Sequence, residues 1–346
     1  MTELYTEFSN YDEINIENRR TAVKAELDTW GTDRTRFEEY RSEWKKSAES
    51  EYLPEKPLHV DIELSDACNF KCKMCAHGIG TVGKVGLMMS DVSKRLIDEC
   101  AEIGVYSIKF NWRGEATLNS TLSDMVAYAK YKGILEVQIN TNGCPPEHNE
   151  GVLIRCAQNG IDRIIFSIDG HSEETYSQIR VGGDYRRLVR NIHELIEWKK
   201  DNRADKPLIR LQMVRNIHNA HEVDDFISYW TPLVDDVRIS DVMDRGQGGN
   251  LSVGDQKTIG RRRCPQPFQR LVIGRDGRVS PCCADWNQEY VVGNVHEHSL
   301  MEIWNNEKMS KMRGIQNAVK LDCIGICKNC YVKESYLWEK RKEVVC

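Results

Sequence analysis

The chain has 346 residues, 40% hydrophobic and 29% charged, a composition typical of a folded globular protein that excludes disordered and fibrous classes. The formal net charge is −5, from 48 Lys and Arg against 53 Asp and Glu. With basic runs no longer than Arg261-Arg262-Arg263, this speaks against extended nucleic-acid binding. No run approaches the roughly 18 apolar residues of a spanning helix, and the opening MTELYTEFSNYDEIN lacks basic and apolar signal regions, so a cytoplasmic protein with no membrane partner is expected.

Residues 1–56 are polar, with Trp30, Phe37, Tyr40 and Trp44 spaced for helices that pack on a larger body, so a helical extension serving as a cap or partner surface is expected. From 57 to 250, short β-branched runs alternate with amphipathic stretches. Strands are expected at His59–Leu64, Ser107–Trp112, Glu136–Asn140, Arg163–Ile168, Leu208–Val214 and Val237–Asp241. Helices are expected between them at Ser90–Ile103, Leu122–Tyr131, Glu150–Asn159, Tyr185–Lys200 and Ala220–Tyr229. This is the pattern of a partial (β/α)6 TIM-like barrel, closed by a junction at Asp244–Asn250. From 251 to 346 the character changes to a small α+β cluster-binding domain. Leu271–Ile273 and Arg278–Ser280 flank an Asp276-Gly277 hairpin turn, and Leu300–Arg313 has helical spacing.

Thirteen cysteines without an export signal point to metal rather than disulfides. Cys68, Cys72 and Cys75 follow the first strand, where βα loops build active sites. Three thiolates can hold three corners of a [4Fe-4S] cube and leave one iron open; a zinc knot with His77 as fourth ligand is the alternative. Four more thiols, Cys264, Cys282, Cys327 and Cys330, arrive from three separate segments as a closed site. Cys283 and Cys323 are spare, and Cys100, Cys144 and Cys156 read as core or loop residues.

The CxxxCxxC spacing of Cys68, Cys72 and Cys75 resembles the signature of the radical S-adenosylmethionine (radical SAM) superfamily, and the likeness extends over roughly 58 to 335. The resemblance implies that the open iron chelates SAM and that an electron from the cluster cleaves it to a 5′-deoxyadenosyl radical. Arg113-Gly114-Glu115 stands where that family has Gly-Gly-Glu, so Gly114 and Glu115 are implied to meet the SAM amino group; Arg113 departs from the pattern and reads otherwise as a surface residue. Ser167-Ile168-Asp169-Gly170 and Arg180 match a second motif, by which Ser167 hydrogen-bonds SAM and Arg180 pairs with its carboxylate. Asn140, in Asn140-Thr141-Asn142-Gly143, suits adenosine or substrate. Gln212 faces the barrel interior or is a buried glutamine satisfied by backbone. The C-terminal thiols, with Gly277, Gly293-Asn294 and Ile303-Trp304-Asn305, resemble the SPASM/twitch appendage of the same family, which implies one auxiliary [4Fe-4S] cluster on Cys264, Cys282, Cys327 and Cys330.

Two [4Fe-4S] clusters and SAM are thus the expected cofactors, with an electron donor such as flavodoxin or ferredoxin. The expected reaction is oxidation, or epimerisation with Cys283 as hydrogen-atom donor, of a small polar substrate such as a sugar, aminocyclitol or nucleotide-sugar. A peptide-modifying enzyme and a non-enzymatic iron–sulfur scaffold are the other readings.

Overall fold

The computed structural model describes residues 26–50, 52–80, 85–242, 251, 263–328 and 330. The first 25 residues, the Asp244–Asn250 junction and Cys346 lie outside that set.

After the helix α1 (Arg34–Glu49), six strands run in parallel, each paired with the next: β1 (His59–Ile62), β2 (Ser107–Phe110), β3 (Glu136–Thr141), β4 (Arg163–Ser167), β5 (Leu208–Arg215) and β6 (Asp236–Asp241). Helices α2 (Ser90–Glu102), α3 (Leu122–Tyr131) and α4 (Val152–Gln158) make successive crossovers. Two helices, α5 (Glu173–Ile179) and α6 (Tyr185–Asp201), follow β4, and α7 (Val223–Trp230) follows β5. Alternation decides the two faces of this sheet. Val60, Ile62, Ile108, Phe110, Val137, Ile139, Ile164, Phe166, Leu211 and Met213 are buried in one cluster with helix residues such as Leu96, Met125, Leu153 and Ile192. Their neighbours in sequence, Asp61, Lys109, Gln138, Asn140, Ser167, Arg210 and Gln212, line the concave side.

The C-terminal segment enters through the short helix α8 (Gln266–Gln269) and extends the same sheet. Strand β7 (Arg270–Ile273) pairs in parallel with β1, and β8 (Arg278–Ser280) and β9 (Gly293–Asn294) continue antiparallel. Gly277 makes the β7–β8 turn at φ +84°, a backbone state favourable to glycine. The helix expected over Leu300–Arg313 is two helices, α9 (Leu300–Asn305) and α10 (Glu307–Asn317). The break has a local cause: the Asn306 side chain accepts from the Met309 amide and caps a new helix. A last turn, α11 (Gly325–Lys328), carries Cys327.

The N-terminal residues close the bottom of the barrel. Trp30 stacks on Phe37 at 4.2 Å and Tyr40 on Tyr106 at 5.3 Å. Leu58, Tyr106 and Leu135, which precede β1, β2 and β3, join the same buried cluster. Glu26 accepts from the buried Arg163 guanidinium of β4. These aromatics therefore supply barrel stability at the end opposite the active-site loops. Phe37→Ala is expected to cost about 3–5 kcal/mol, read as a lower urea midpoint, while SAM affinity below the transition stays at the parent value.

Candidate active site

The segment leaving β1 carries Cys68, Cys72 and Cys75 over the C-terminal end of the sheet and is pinned on two sides. Asn69 donates to the Cys144 carbonyl at 3.0 Å and accepts from Asn142 at 2.8 Å, which ties it to the loop after β3. The Lys71 and Lys73 amides donate to the Val181 and Ile179 carbonyls at 2.8 and 3.1 Å, which ties it to the end of α5. All three thiols are free of disulfides, and their charges act on one another. Burial pushes the Cys68 thiol up to about 12, with the Glu115 carboxylate adding to the rise. Such thiols become ligands by losing their protons to a metal. Among the described residues no group of three or more His, Cys, Asp or Glu side chains is arranged to hold a single metal ion.

Gly114 is required by close approach. A Cβ there would lie 2.3 Å from the Ser65 carbonyl oxygen and 2.5 Å from that of Ala67. The Glu115 amide donates to Ala67 at 2.8 Å, so the loop after β2 lies directly against the cysteine loop. The buried Glu115 carboxylate accepts from the Thr117 amide and hydroxyl, the Thr141 hydroxyl at 2.7 Å and the Asn142 amide at 2.7 Å. Three of these bonds end on Oε1 and one on Oε2, so Oε2 keeps an acceptor position open. In this structure Glu115 braces the loops after β2 and β3, and any ammonium arriving there shares its oxygens with them.

Arg113 is not a surface residue. Its side chain is 11% exposed and grips Glu63 through Nε at 2.9 Å and Nη2 at 2.5 Å, with its own amide donating to the same carboxylate at 3.0 Å. It lies 4.3 Å over the Trp112 ring and donates to the Trp286 carbonyl at 3.3 Å, while Trp112 Nε1 donates to the Cys283 carbonyl at 3.0 Å. The Glu63 carboxylate holds the Arg113 guanidinium above its usual value despite burial. The departure from the glycine pattern thus places a clamp between the loop after β2 and the loop that carries Cys282 and Cys283.

Across the concave face, Asn140 Nδ2 donates to Ser167 Oγ at 3.0 Å, and Ser167 is in register with Gln212. Gln212 is half-buried and its side-chain amide makes no hydrogen bond among the described residues, so it is not a glutamine satisfied by backbone. Asp169 accepts from Arg180 Nε at 2.6 Å and from the Val214 amide at 2.7 Å. This fixes Arg180 with Nη1 directed at Cys72 Sγ, 3.7 Å away. A fixed guanidinium beside one of the three thiols suits a carboxylate brought there by a ligand.

The second thiol group lines an apolar cavity behind the β7–β8 hairpin. Cys264, Cys282, Cys283, Cys327 and Cys330 converge there with Pro267, Met312, Leu321 and Ile326. Gln316 orders two of them, accepting from the Cys264 amide at 3.0 Å and donating to Cys327 Sγ at 3.3 Å. Burial pushes the Cys264 and Cys282 thiols well up. Cys323 is exposed and outside the cavity; Cys100, Cys144 and Cys156 are buried elsewhere. The donor set, all thiols in an apolar shell, fits an iron–sulfur cluster.

Charged lumen residues are not singled out by the sequence motifs, and two of them bear on the site. Glu63 and Lys109 are charged residues alternating with apolar ones in His59-Val60-Asp61-Ile62-Glu63-Leu64 and Ser107-Ile108-Lys109-Phe110, a period-two signal that marks the concave face.

An open parallel barrel with three thiols at its mouth and a second thiol cavity on its extended edge defines a two-site iron–sulfur protein. The family model described as the radical SAM superfamily matches residues 62–203, and that described as an iron–sulfur cluster-binding domain matches 264–331. The S-adenosyl-L-methionine-dependent 2-deoxy-scyllo-inosamine dehydrogenase of Niallia circulans is 32% identical over 273 residues, 78% of this chain and 91% of that protein. The GTP 3′,8-cyclase of Alkaliphilus oremlandii is 23% identical, over 64% of this chain and 67% of its own length. Streptococcus suis SuiB, solved bound to precursor peptide SuiA, superposes with a TM-score of 0.63 at 14% identity, over 89% of this chain and 80% of that one, a likeness of fold. The chain belongs to the radical SAM superfamily and carries a C-terminal SPASM iron–sulfur domain. It is a radical SAM enzyme whose cofactors are SAM and two [4Fe-4S] clusters, one SAM-binding and one auxiliary. No helix among the described residues is long and apolar enough to cross a membrane.

Gly114→Ala is expected to displace the cysteine loop at a cost of about 1–3 kcal/mol and to weaken SAM binding measured by equilibrium dialysis. Gly314→Ala, where a Cβ meets nothing within 4 Å in α10, is expected to keep SAM affinity and add about 0.5–1 kcal/mol of stability.

Proposed function

We propose that this enzyme dehydrogenates a small polar substrate, a sugar, aminocyclitol or nucleotide-sugar, held in the barrel lumen between the SAM site and the auxiliary thiol cavity. The observation that carries the reading is the clamp of Trp112 and Arg113 on the Cys283 and Trp286 carbonyls, which sets the auxiliary cavity directly against the loop after β2. Similarity to the inosamine dehydrogenase over most of both chains supports it. When bound, these groups supply a 5′-deoxyadenosyl radical from SAM to take a substrate hydrogen and, in the auxiliary cluster, an acceptor for the electron left behind.

In this reading Cys68, Cys72 and Cys75 hold the SAM-binding cluster, and Cys264, Cys282, Cys327 and Cys330 hold the auxiliary one. Arg180, oriented by Asp169, pairs with the SAM carboxylate beside Cys72. Gly114 allows the loop after β2 close approach, Glu115 braces it at the amino end, and Asn140, Ser167 and Gln212 contact adenosine or substrate. Full ligation by four thiols leaves the auxiliary group an electron-transfer role. A flavodoxin or ferredoxin supplies the first electron. The described N-terminal residues, from 26 to 49, are used in closing the barrel floor, which disfavours a peptide-recognition role for them and with it the peptide-modifying reading.

Epimerisation is the second reading, motivated by the Cys283 thiol as a fifth sulfur lining the auxiliary cavity; in that reading it would give a hydrogen atom to a substrate radical. Incubation in deuterated solvent separates the two, with 2-deoxy-scyllo-inosamine as the first probe. Dehydrogenation gives a ketone, without solvent deuterium at the reacting carbon, that Cys283→Ala still forms. A product of unchanged oxidation level carrying solvent deuterium, lost in Cys283→Ala, would overturn dehydrogenation.

Cluster assignment is tested by iron analysis after anaerobic reconstitution. The parent is expected to bind about eight irons and the Cys68/Cys72/Cys75→Ala variant about four, with 5′-deoxyadenosine formed by the parent only.

A further inference from the structure

Lys109 lies on the concave side of β2, level with Asp61 of β1 and Gln138 of β3. The charged groups around it are matched. Asp61 faces His59 at 3.3 Å and Arg270 at 3.2 Å. Glu136 accepts from Ser107 at 3.1 Å and from Gln138 at 2.7 Å, and Asp236 receives Arg210 at 2.5 Å and Arg238 at 3.0 Å. The Lys109 ammonium, by contrast, makes no hydrogen bond or ion pair among the described residues.

Its surroundings place it centrally. Asp61 and Arg270 act on it from the β1–β7 side, Arg210 from β5 across the barrel, and Cys283 from the loop after β8. Burial pushes this ammonium down, and the two guanidinium groups add to the fall against the pull of Asp61. Two of the three charged residues on the barrel strands that act on it are cationic, and the third, Asp61, is already bonded to Arg270. The Lys109 side chain is partly exposed, so its unpartnered ammonium can be reached by a ligand in the lumen.

We infer that Lys109 is the floor of the substrate pocket and that it anchors an oxyanion of the substrate, a phosphate monoester or a carboxylate carried on a small polyol. The inference rests on the reading that the lumen receives a small polar substrate, and it narrows that class. An aminocyclitol would set its own ammonium against Lys109, whereas an oxyanion meets a donor of complementary charge there, the neighbouring arginines being held by Asp61 and Asp236.

The test uses the full chain, reconstituted and SAM-loaded, with glucose 6-phosphate, glucuronate, orthophosphate, glucose and 2-deoxy-scyllo-inosamine in separate equilibrium-dialysis cells. Glucose 6-phosphate or glucuronate is expected to be retained about tenfold or more above glucose and the inosamine, the margin of one charge-assisted hydrogen bond. Which of the two is retained separates phosphate from carboxylate, and orthophosphate alone reports how much the anion contributes without the polyol. Lys109→Met is expected to lose the preference and Lys109→Arg to keep it. On the parent itself, the retained ligand is expected to slow acetylation of Lys109, but not of Lys45, in peptide mass spectra. Retention of the inosamine as strongly as the oxyanions, no retention of either oxyanion, or an unchanged preference in Lys109→Met would each overturn the inference. Formation of 5′-deoxyadenosine in parallel samples reads the radical chemistry separately, so loss of one leaves the other standing.

Discussion

One buried carboxylate joins the parts of this protein. Glu63, with no exposed side-chain surface, sits just beyond β1 and accepts three hydrogen bonds from Arg113 after β2 and one from the Arg275 amide in the β7–β8 turn. The first thiol group, the loop that approaches it and the hairpin leading to the second thiol group all leave the sheet at this point. Parallel pairing of β7 with β1 brings the hairpin alongside, and the ion pair fixes its position. An ion pair this deep contributes little net stability because desolvation offsets attraction, yet loss of either partner strands a charge. Its effect is to give the two cluster sites one arrangement.

The same logic runs through the barrel interior. An ordinary small barrel fills its lumen with branched apolar side chains. Here the lumen carries Asp61, Arg163, Arg210 and Asp236, with Arg210 paired to Asp236, Asp61 to Arg270 of β7 and Arg163 to Glu26 from the N-terminal segment. Helix-facing positions supply the hydrophobic core, so the lumen can be given over to polar groups that bind. The aromatic cluster of Trp30, Phe37 and Tyr40 is buried at the lower end.

Much of this was legible in the sequence because the relevant signals are local. Strand alternation, the CxxxCxxC run after the first strand and the Asp-Gly hairpin each need only a few neighbouring residues, and each lies where the sequence indicates. The break at Asn306 was missed because the apolar spacing of Leu300, Ile303, Trp304, Met309 and Met312 continues through a cap that interrupts only the backbone. The surface alternative for Arg113 fails because its partners lie far away in sequence, 50 residues back at Glu63 and 173 forward at Trp286. Glu115 kept its place but has four protein donors, from residues on β2 and β3 loops that only folding brings together. The convergence of five thiols into one cavity likewise depends on α10, whose Gln316 holds Cys264 and Cys327 in position.

The claim that one ion pair holds both cluster sites in register is tested most directly by a double-mutant cycle on Glu63 and Arg113. Glu63→Gln, Arg113→Gln and the double variant are reconstituted and compared in urea stability and in the rate of 5′-deoxyadenosine formation. The account predicts that each single variant loses about 3–5 kcal/mol together with most SAM cleavage. The double variant should recover part of both, with a coupling of about 0.5–3 kcal/mol. Losses that simply add, or single variants that cleave SAM at the parent rate, would contradict it.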